Sequence, residues 1–167
     1  LWPMKPLATI GGELSLINDH DSRSLYLRFI VSSAPPMLTG TMEDFDWLSA
    51  SSDYTYYSFH ENHTERFFNI RLDLGPRLRA RGDFFVIPYA GGTLYAAYWS
   101  ARGGYTIYPP DYQLKPVEGT GISYSVQLLA MILGLRLEHK PAIGLSLAWV
   151  FELMPLVDVR AIDNHYL

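Results

Sequence analysis

The sequence predicts an all-β fold, an antiparallel β-barrel that crosses a membrane with strands. Three observations predict it. Apolar residues recur with period two along most of the chain. The opposite, polar face carries full charges in mid-strand, at Glu13, Arg28, Arg71, Asp73 and Glu152. Tyrosine and tryptophan crowd the strand ends, at Tyr54, Tyr56, Tyr57, Trp99, Tyr105 and Tyr108. An apolar outer band, aromatic girdles and a polar interior are the pattern of a barrel in lipid. Alternation alone also suits a soluble sandwich with one face in its core, and that alternative stays open at this point.

Six strands follow in order. In the first, about 6–17, Ile10, Leu14 and Leu16 oppose Thr9, Glu13 and Ser15. In the second, 23–34, Leu25, Leu27, Phe29 and Val31 oppose Tyr26, Arg28 and Ile30. In the third, 65–75, Phe68, Ile70, Leu72 and Leu74 oppose Phe67, Asn69, Arg71 and Asp73. The fourth and fifth, 84–107 and 120–138, are long enough to project beyond a bilayer. In the fifth, Leu129, Met131, Leu133, Leu135 and Leu137 oppose Ala130, Gly134, Arg136 and Glu138. In the sixth, 142–160, Ile143, Leu145, Leu147, Trp149, Phe151 and Leu153 share one face.

The connections alternate in length. "INDHDSR" at 17–23, "GPRLRARGD" at 75–83 and "EHKPA" at 138–142 are short turns. The stretches from Ala34 to Glu65 and from Tyr108 to Gly121 are long loops. Short periplasmic turns and long extracellular loops are the habit of bacterial barrels. That arrangement puts Asp44 and Asp46, in "TMEDFDW", on a loop at the extracellular rim. Residues 1–167 read as one barrel domain that is incomplete. An open six-stranded sheet leaves two unpaired edges, which lipid does not tolerate.

Composition narrows the function. There are no cysteines, hence no disulfide framework and no thiolate metal site. A formal charge of −4 argues against nucleic acid as a partner. The longest apolar stretch, near "LLAMILGL", is far short of the roughly 20 residues of a membrane helix. The chain opens "LWPMKP", with neither a secretory signal nor an initiator methionine, as a processed start or an internal piece would. "HENH" at 60–63 lacks the spacing that sets two histidines one helical turn apart, so no metal is expected there. "RGD" at 81–83 is a tight charged turn on the periplasmic side. "ARGG" at 101–104 follows a strand but opens no helix, so it is not a phosphate loop.

"AIDNHYL", at the C-terminal end, carries the chemistry. Asp163 and His165 are one residue apart, so on an extended chain both point the same way. An aspartate beside a histidine holds its tautomer and stabilises the imidazolium, which makes the histidine a general base. By strand count the pair shares the rim with Asp44 and Asp46. The four groups are either one site facing across the barrel mouth or two unrelated polar loops. With no serine or cysteine at a recognisable nucleophile position, a site here would use water.

"MEDFDW", "ARGGYTIY" and "DNHY" together, in this order, resemble the omptins, outer-membrane endopeptidases of Gram-negative bacteria. The resemblance runs over essentially the whole chain. It implies a ten-stranded barrel of which the first strand and the last three are absent here. It implies a polypeptide substrate and a site on the extracellular side of the bacterial outer membrane. By it, Asp44, Asp46, Asp163 and His165 correspond to the catalytic groups. His165 takes the proton of a water, Asp163 orients His165, Asp44 holds the water and Asp46 supports Asp44. The Trp47 indole packs the loop against the rim. No cofactor or metal is implied. The family's specificity acid in the fourth loop corresponds to Ala161, which predicts a weakened preference for paired basic residues. Leu94 and Ala96 stand where the family grips lipopolysaccharide, so those positions do not carry over activation by that lipid. A barrel of this kind without catalysis, working as a binding or adhesion platform, is the alternative.

Overall fold

A computed structural model of the chain describes residues 7–17, 23–47, 56–141 and 146–166. The core of the expected turn at 17–23, together with Trp2, Tyr54, Ile143 and Leu145, lies outside the described residues. The chain forms an antiparallel sheet from β1 (Ile10–Ile17), β2 (Arg23–Ala34), β3 (Met37–Asp46), β4 (Tyr56–Arg81), β5 (Phe84–Ile107), β6 (Leu114–Pro116), β7 (Thr120–His139) and β8 (Leu147–His165). Its order is β1-β2-β4-β5-β7-β8, with β3 on β4 and β6 on β5.

β2 and β3 are two parts of one line along β4. Ala34 pairs with Phe67 and Met37 with Thr64. Between them stand Pro35 and Pro36, which have no N–H to give to a ladder. Six strand lines therefore cross the sheet, as the alternation predicts. Among the described residues, the outer edges of β1 and β8 have no ladder partner. The sheet is not closed; it is a piece of a barrel wall.

The outer face is apolar. Leu14, Phe29 and Leu72 form one cross-strand row, and Val31, Ile70, Leu94 and Leu129 another. All seven are exposed, as side chains facing lipid would be. The inner face carries the charges. Arg28 binds Glu13 at 3.0 Å, and Arg71 binds Asp73 at 2.9 Å and also Glu152. Arg71 lies on β4 and Glu152 on β8, with β5 and β7 between, so their strands are about 14 Å apart along the sheet surface, and Glu152 lies five residues below Val157, which ends Arg71's row. Side chains meet over that span only because the sheet curls. Glycine makes room for the crossing: a Cβ on Gly91 would collide with Asp73, and one on Gly134 with the Tyr89 ring.

One expected loop and one expected turn are largely strand. The stretch after Ala34 folds as β3 against the upper half of β4, and the basic segment 75–83 continues β4 down to Arg81. Its turn shrinks to Gly82 and Asp83, where Gly82 has φ 54°. The physical reason is that the buried positions here are polar. Ser58, His60, Asn62 and Thr64 fill the inner face of upper β4, and Arg77 is buried against Glu138 at 3.1 Å with its guanidinium over the Phe85 ring. Polar side chains inside a strand give no apolar alternation to read.

The aromatic residues do not all form a girdle. Phe45, Tyr57, Phe59 and Tyr105 cluster on the outer face. Trp99 instead points inward and stacks on Tyr124, with ring centroids 5.7 Å apart. Tyr56 packs edge-on against Tyr108 and shares the inner face with Asp46.

Candidate active site at the upper end of the sheet

β3 delivers the acid pair. Leu38 pairs with His63 and Gly40 with Asn62, so Thr39 is an extra residue in the ladder. The bulge is held from inside: the Thr39 hydroxyl donates to the Asn62 carbonyl at 3.3 Å and accepts from Thr64 at 3.1 Å. The extra residue sets Gly40, Met42, Asp44 and Asp46 on the inner face, opposite Asn62, His60, Ser58 and Tyr56. Asp44 and Asp46 thus lie on a strand rather than in a loop. Tyr108 stands close enough to feel both carboxylates. Burial, then the charges of Asp46 and Asp44, push its phenol above the usual range. Trp47 does not pack the segment against the rim; it is 56% exposed. The chain leaves the ladder at Asp46, so no neighbouring strand offers the indole a wall.

β8 delivers the second pair. It runs to His165, past the expected end at 160, so Asp163 and His165 too are strand residues. Met131 pairs with Leu156 but Leu133 with Leu153, so β8 has one residue too many around Met154 and Pro155. Below the bulge Glu152 points inward. Above it the parity is reversed, and Asp163 and His165 point inward, opposite Tyr124 and Ile122. His165 Nε2 lies 3.3 Å from Asp163 Oδ2, and both side chains are about half exposed. With Nε2 toward the carboxylate, Nδ1 is left to take a proton.

The two pairs share the inner face and the same end of the sheet. Cross-strand rows show it: Gly40, Asn62, Ala101, Ile122 and His165 are successive partners. Asp44 stands four residues further along β3 than Gly40, about 13 Å. Across β4, β5 and β7 the strands β3 and β8 are about 19 Å apart along the sheet. Among the described residues no hydrogen bond or ion pair joins Asp44 or Asp46 to Asp163 or His165. They stand apart on one face, at opposite sides of the same end of the sheet.

Residues that alternation did not single out complete the site. Thr64, Trp99, Tyr124 and Asp163 form the next row, so the stacked rings support Asp163 from the side. The Tyr166 N–H donates to the Gly121 carbonyl at 2.8 Å, and Asn164 donates to the Ser123 hydroxyl at 3.3 Å. These bonds pin the end of β8. "HENH" is split between faces. His60 is buried inside, with Nδ1 2.7 Å from the Gly103 carbonyl, while Glu61 and His63 pair outside at 3.7 Å. "ARGG" is a backbone irregularity in β5. Gly104 has φ 78°, and a Cβ there would run into the Phe59 carbonyl.

The Omptin family model matches residues 1–167. The chain belongs to the Omptin family. Its fold is similar to a crystal structure of the outer membrane protease OmpT from Escherichia coli, with TM-score 0.74 and 18% sequence identity. The match covers 99% of this chain and 57% of that one, so the chain spans little more than half the length of that omptin. No curated protein matches the chain. Within the omptin frame, Ala161 lies on the inner face of β8, opposite Val126 and directly below Asp163. Leu94 and Ala96 lie on the outer face, opposite Leu129 and Gln127.

Proposed function

We propose that the whole protein is an endopeptidase of the bacterial outer membrane, with its site on the extracellular side. The observation that carries this reading is the Asp163–His165 pair, 3.3 Å apart and turned to the same inner face and sheet end as Asp44 and Asp46. A polypeptide lies across the inner face between the pairs. Water held by Asp44 attacks the scissile carbonyl, His165 takes its proton at Nδ1, and that proton passes to the departing amine nitrogen as the C–N bond breaks. Asp163 keeps the imidazole in that tautomer and offsets the imidazolium charge. Asp46 supports Asp44 from two positions along the same inner face of β3. The step uses no metal and no seryl or thiol nucleophile. Lipopolysaccharide, where it binds, meets Arg66, Gln127 and Arg160 on the outer face rather than Leu94 and Ala96.

The test is cleavage of a quenched peptide by full-length protein with lipopolysaccharide present. His165→Ala, Asp44→Ala and Asp163→Asn should each lower kcat/KM on the order of 10²–10⁴-fold. Each should keep the heat-modifiable migration of a folded barrel. Equal cleavage by wild type and His165→Ala, or none by either, refutes the endopeptidase reading and favours the binding platform.

A further inference from the structure

The outer face of the sheet behind Asp163 and His165 carries a polar clamp. Asn164, the residue between them, turns its side chain to that face, and Tyr166 follows it. Both reach Ser123 on β7. Asn164 Nδ2 donates to the Ser123 hydroxyl at 3.3 Å, and the Ser123 and Tyr166 hydroxyls bond each other at 3.2 Å. One hydroxyl can make both bonds, since it has a proton and two lone pairs. Ser123 is 1% exposed although it faces outward. Its other neighbour in the row is the buried Ser100, which accepts from Arg102 Nε at 2.9 Å and donates to Glu65. The Ser123 hydroxyl is thus a dry hub, and water does not readily replace it. On the inner face Asp163 and His165 are about half exposed. Their 3.3 Å approach depends on the backbone at Asn164, because a rotation there swings one side chain away from the other. The ladder to β7 ends at the Ile122–His165 pair, with the Tyr166 N–H on the Gly121 carbonyl just beyond. The Asn164 and Tyr166 side chains resist that rotation from the opposite face.

Resting on the endopeptidase reading above, we propose that Ser123 is a positioning residue for the Asp163–His165 pair. It lies on the outer face, away from substrate and from the attacking water. It acts through Asn164 and Tyr166, which hold the end of β8 in the twist that brings His165 Nε2 to Asp163.

The experiment measures cleavage of a quenched peptide by full-length protein. Ser123→Ala should lower kcat about tenfold and leave KM little changed, because a misplaced imidazole costs the transition state rather than peptide binding. Asn164→Ala should act in the same way, and the double variant should be no worse than the weaker single one, since both remove the same anchor. Ser125→Ala, two residues along the same face of β7, should match wild type. Asn164 is exposed, so Asn164→Ala carries the test by itself where Ser123→Ala protein does not fold. Unchanged kcat in these variants, or a loss confined to KM, overturns the proposal and leaves the endopeptidase reading standing. Nitrogen NMR of histidine-labelled protein gives a measure that needs no turnover, with the His165 signals assigned by difference against His165→Ala. In wild type the neutral imidazole should carry its proton on Nε2, and Ser123→Ala should mix the two tautomers. The same single tautomer in both proteins overturns the proposal. Wild-type protein that cleaves no peptide refutes the endopeptidase reading instead, and the tautomer comparison then decides the clamp by itself.

Discussion

Glu152→Leu should destabilise the barrel wall without touching the chemistry. Glu152 accepts hydrogen bonds from Arg71 Nη1 at 3.2 Å and from Arg71 Nη2, and another from the Tyr89 hydroxyl. The side chains of Arg71 and Glu152 are 13% and 26% exposed. Removing one partner of a largely desolvated ion pair costs about 3–5 kcal/mol. Two features reduce that figure here. Arg71 keeps Asp73 at 2.9 Å, and Glu152 is partly wet. A loss of about 2–4 kcal/mol is therefore expected. Glu152→Gln keeps an acceptor for Arg71 and loses only charge, so it should cost about 1 kcal/mol. The site is far away: Asp163 lies about 33 Å further along β8. Urea unfolding of the full-length protein in detergent micelles, followed by tryptophan fluorescence, reads the stability. Peptide cleavage per folded molecule reads the chemistry and should be unchanged. Glu152→Leu protein as stable as wild type within about 0.5 kcal/mol would refute the claim that this bridge stabilises the barrel wall.

Further outcomes follow from particular contacts. Gly104→Ala combines a left-handed φ with a Cβ aimed at the Phe59 carbonyl. It should cost about 2 kcal/mol or more in the same urea titration, and Gly103→Ala, with φ 58° but open space, clearly less. Tyr108 should ionise late in an alkaline titration of phenolate absorbance, judged by difference against Tyr108→Phe, because burial and then Asp46 and Asp44 raise its pKa. Asp46→Asn should bring that ionisation back toward its ordinary range; no change would mean that the carboxylate charge does not reach Tyr108. The sign for stability is fixed by the same shift. A phenol raised in the folded state helps below the unfolded pKa of about 10, and that help is lost as pH climbs through the folded value, so Tyr108→Phe should flatten the alkaline fall in stability.

Much of the fold was legible in local pattern. Leucine and phenylalanine every second residue announced β2, lower β4 and β7, and the inward charges Glu13, Arg28, Arg71, Asp73 and Glu152 were legible as the polar face. Asp163 and His165, two residues apart, were expected on one side of an extended chain, and they lie 3.3 Å apart. β3 and the upper half of β4 were not legible as strands. The inner residues of upper β4, Ser58, His60, Asn62 and Thr64, are polar and buried together, and of the inner residues of β3 from Gly40 on only Met42 is a large apolar one, so burial left no apolar alternation. The aromatic clusters misled in part, because Trp99 and Tyr56 turn inward to line the site.

What the sequence alone determined is therefore whatever depends on neighbours one or two positions apart: the strands with an apolar face, their number, and the adjacency of Asp44 to Asp46 and of Asp163 to His165. The tertiary structure decided which way those pairs point. Each strand gains one residue against its partner, at Thr39 in β3 and around Met154 and Pro155 in β8. A ladder has period two, so a single extra residue reverses every side chain beyond it. Carried up β8 without the bulge, the parity that turns Glu152 inward would turn Asp163 and His165 outward. An extra residue is visible only against the strand it pairs with, and that strand is supplied by a distant part of the chain.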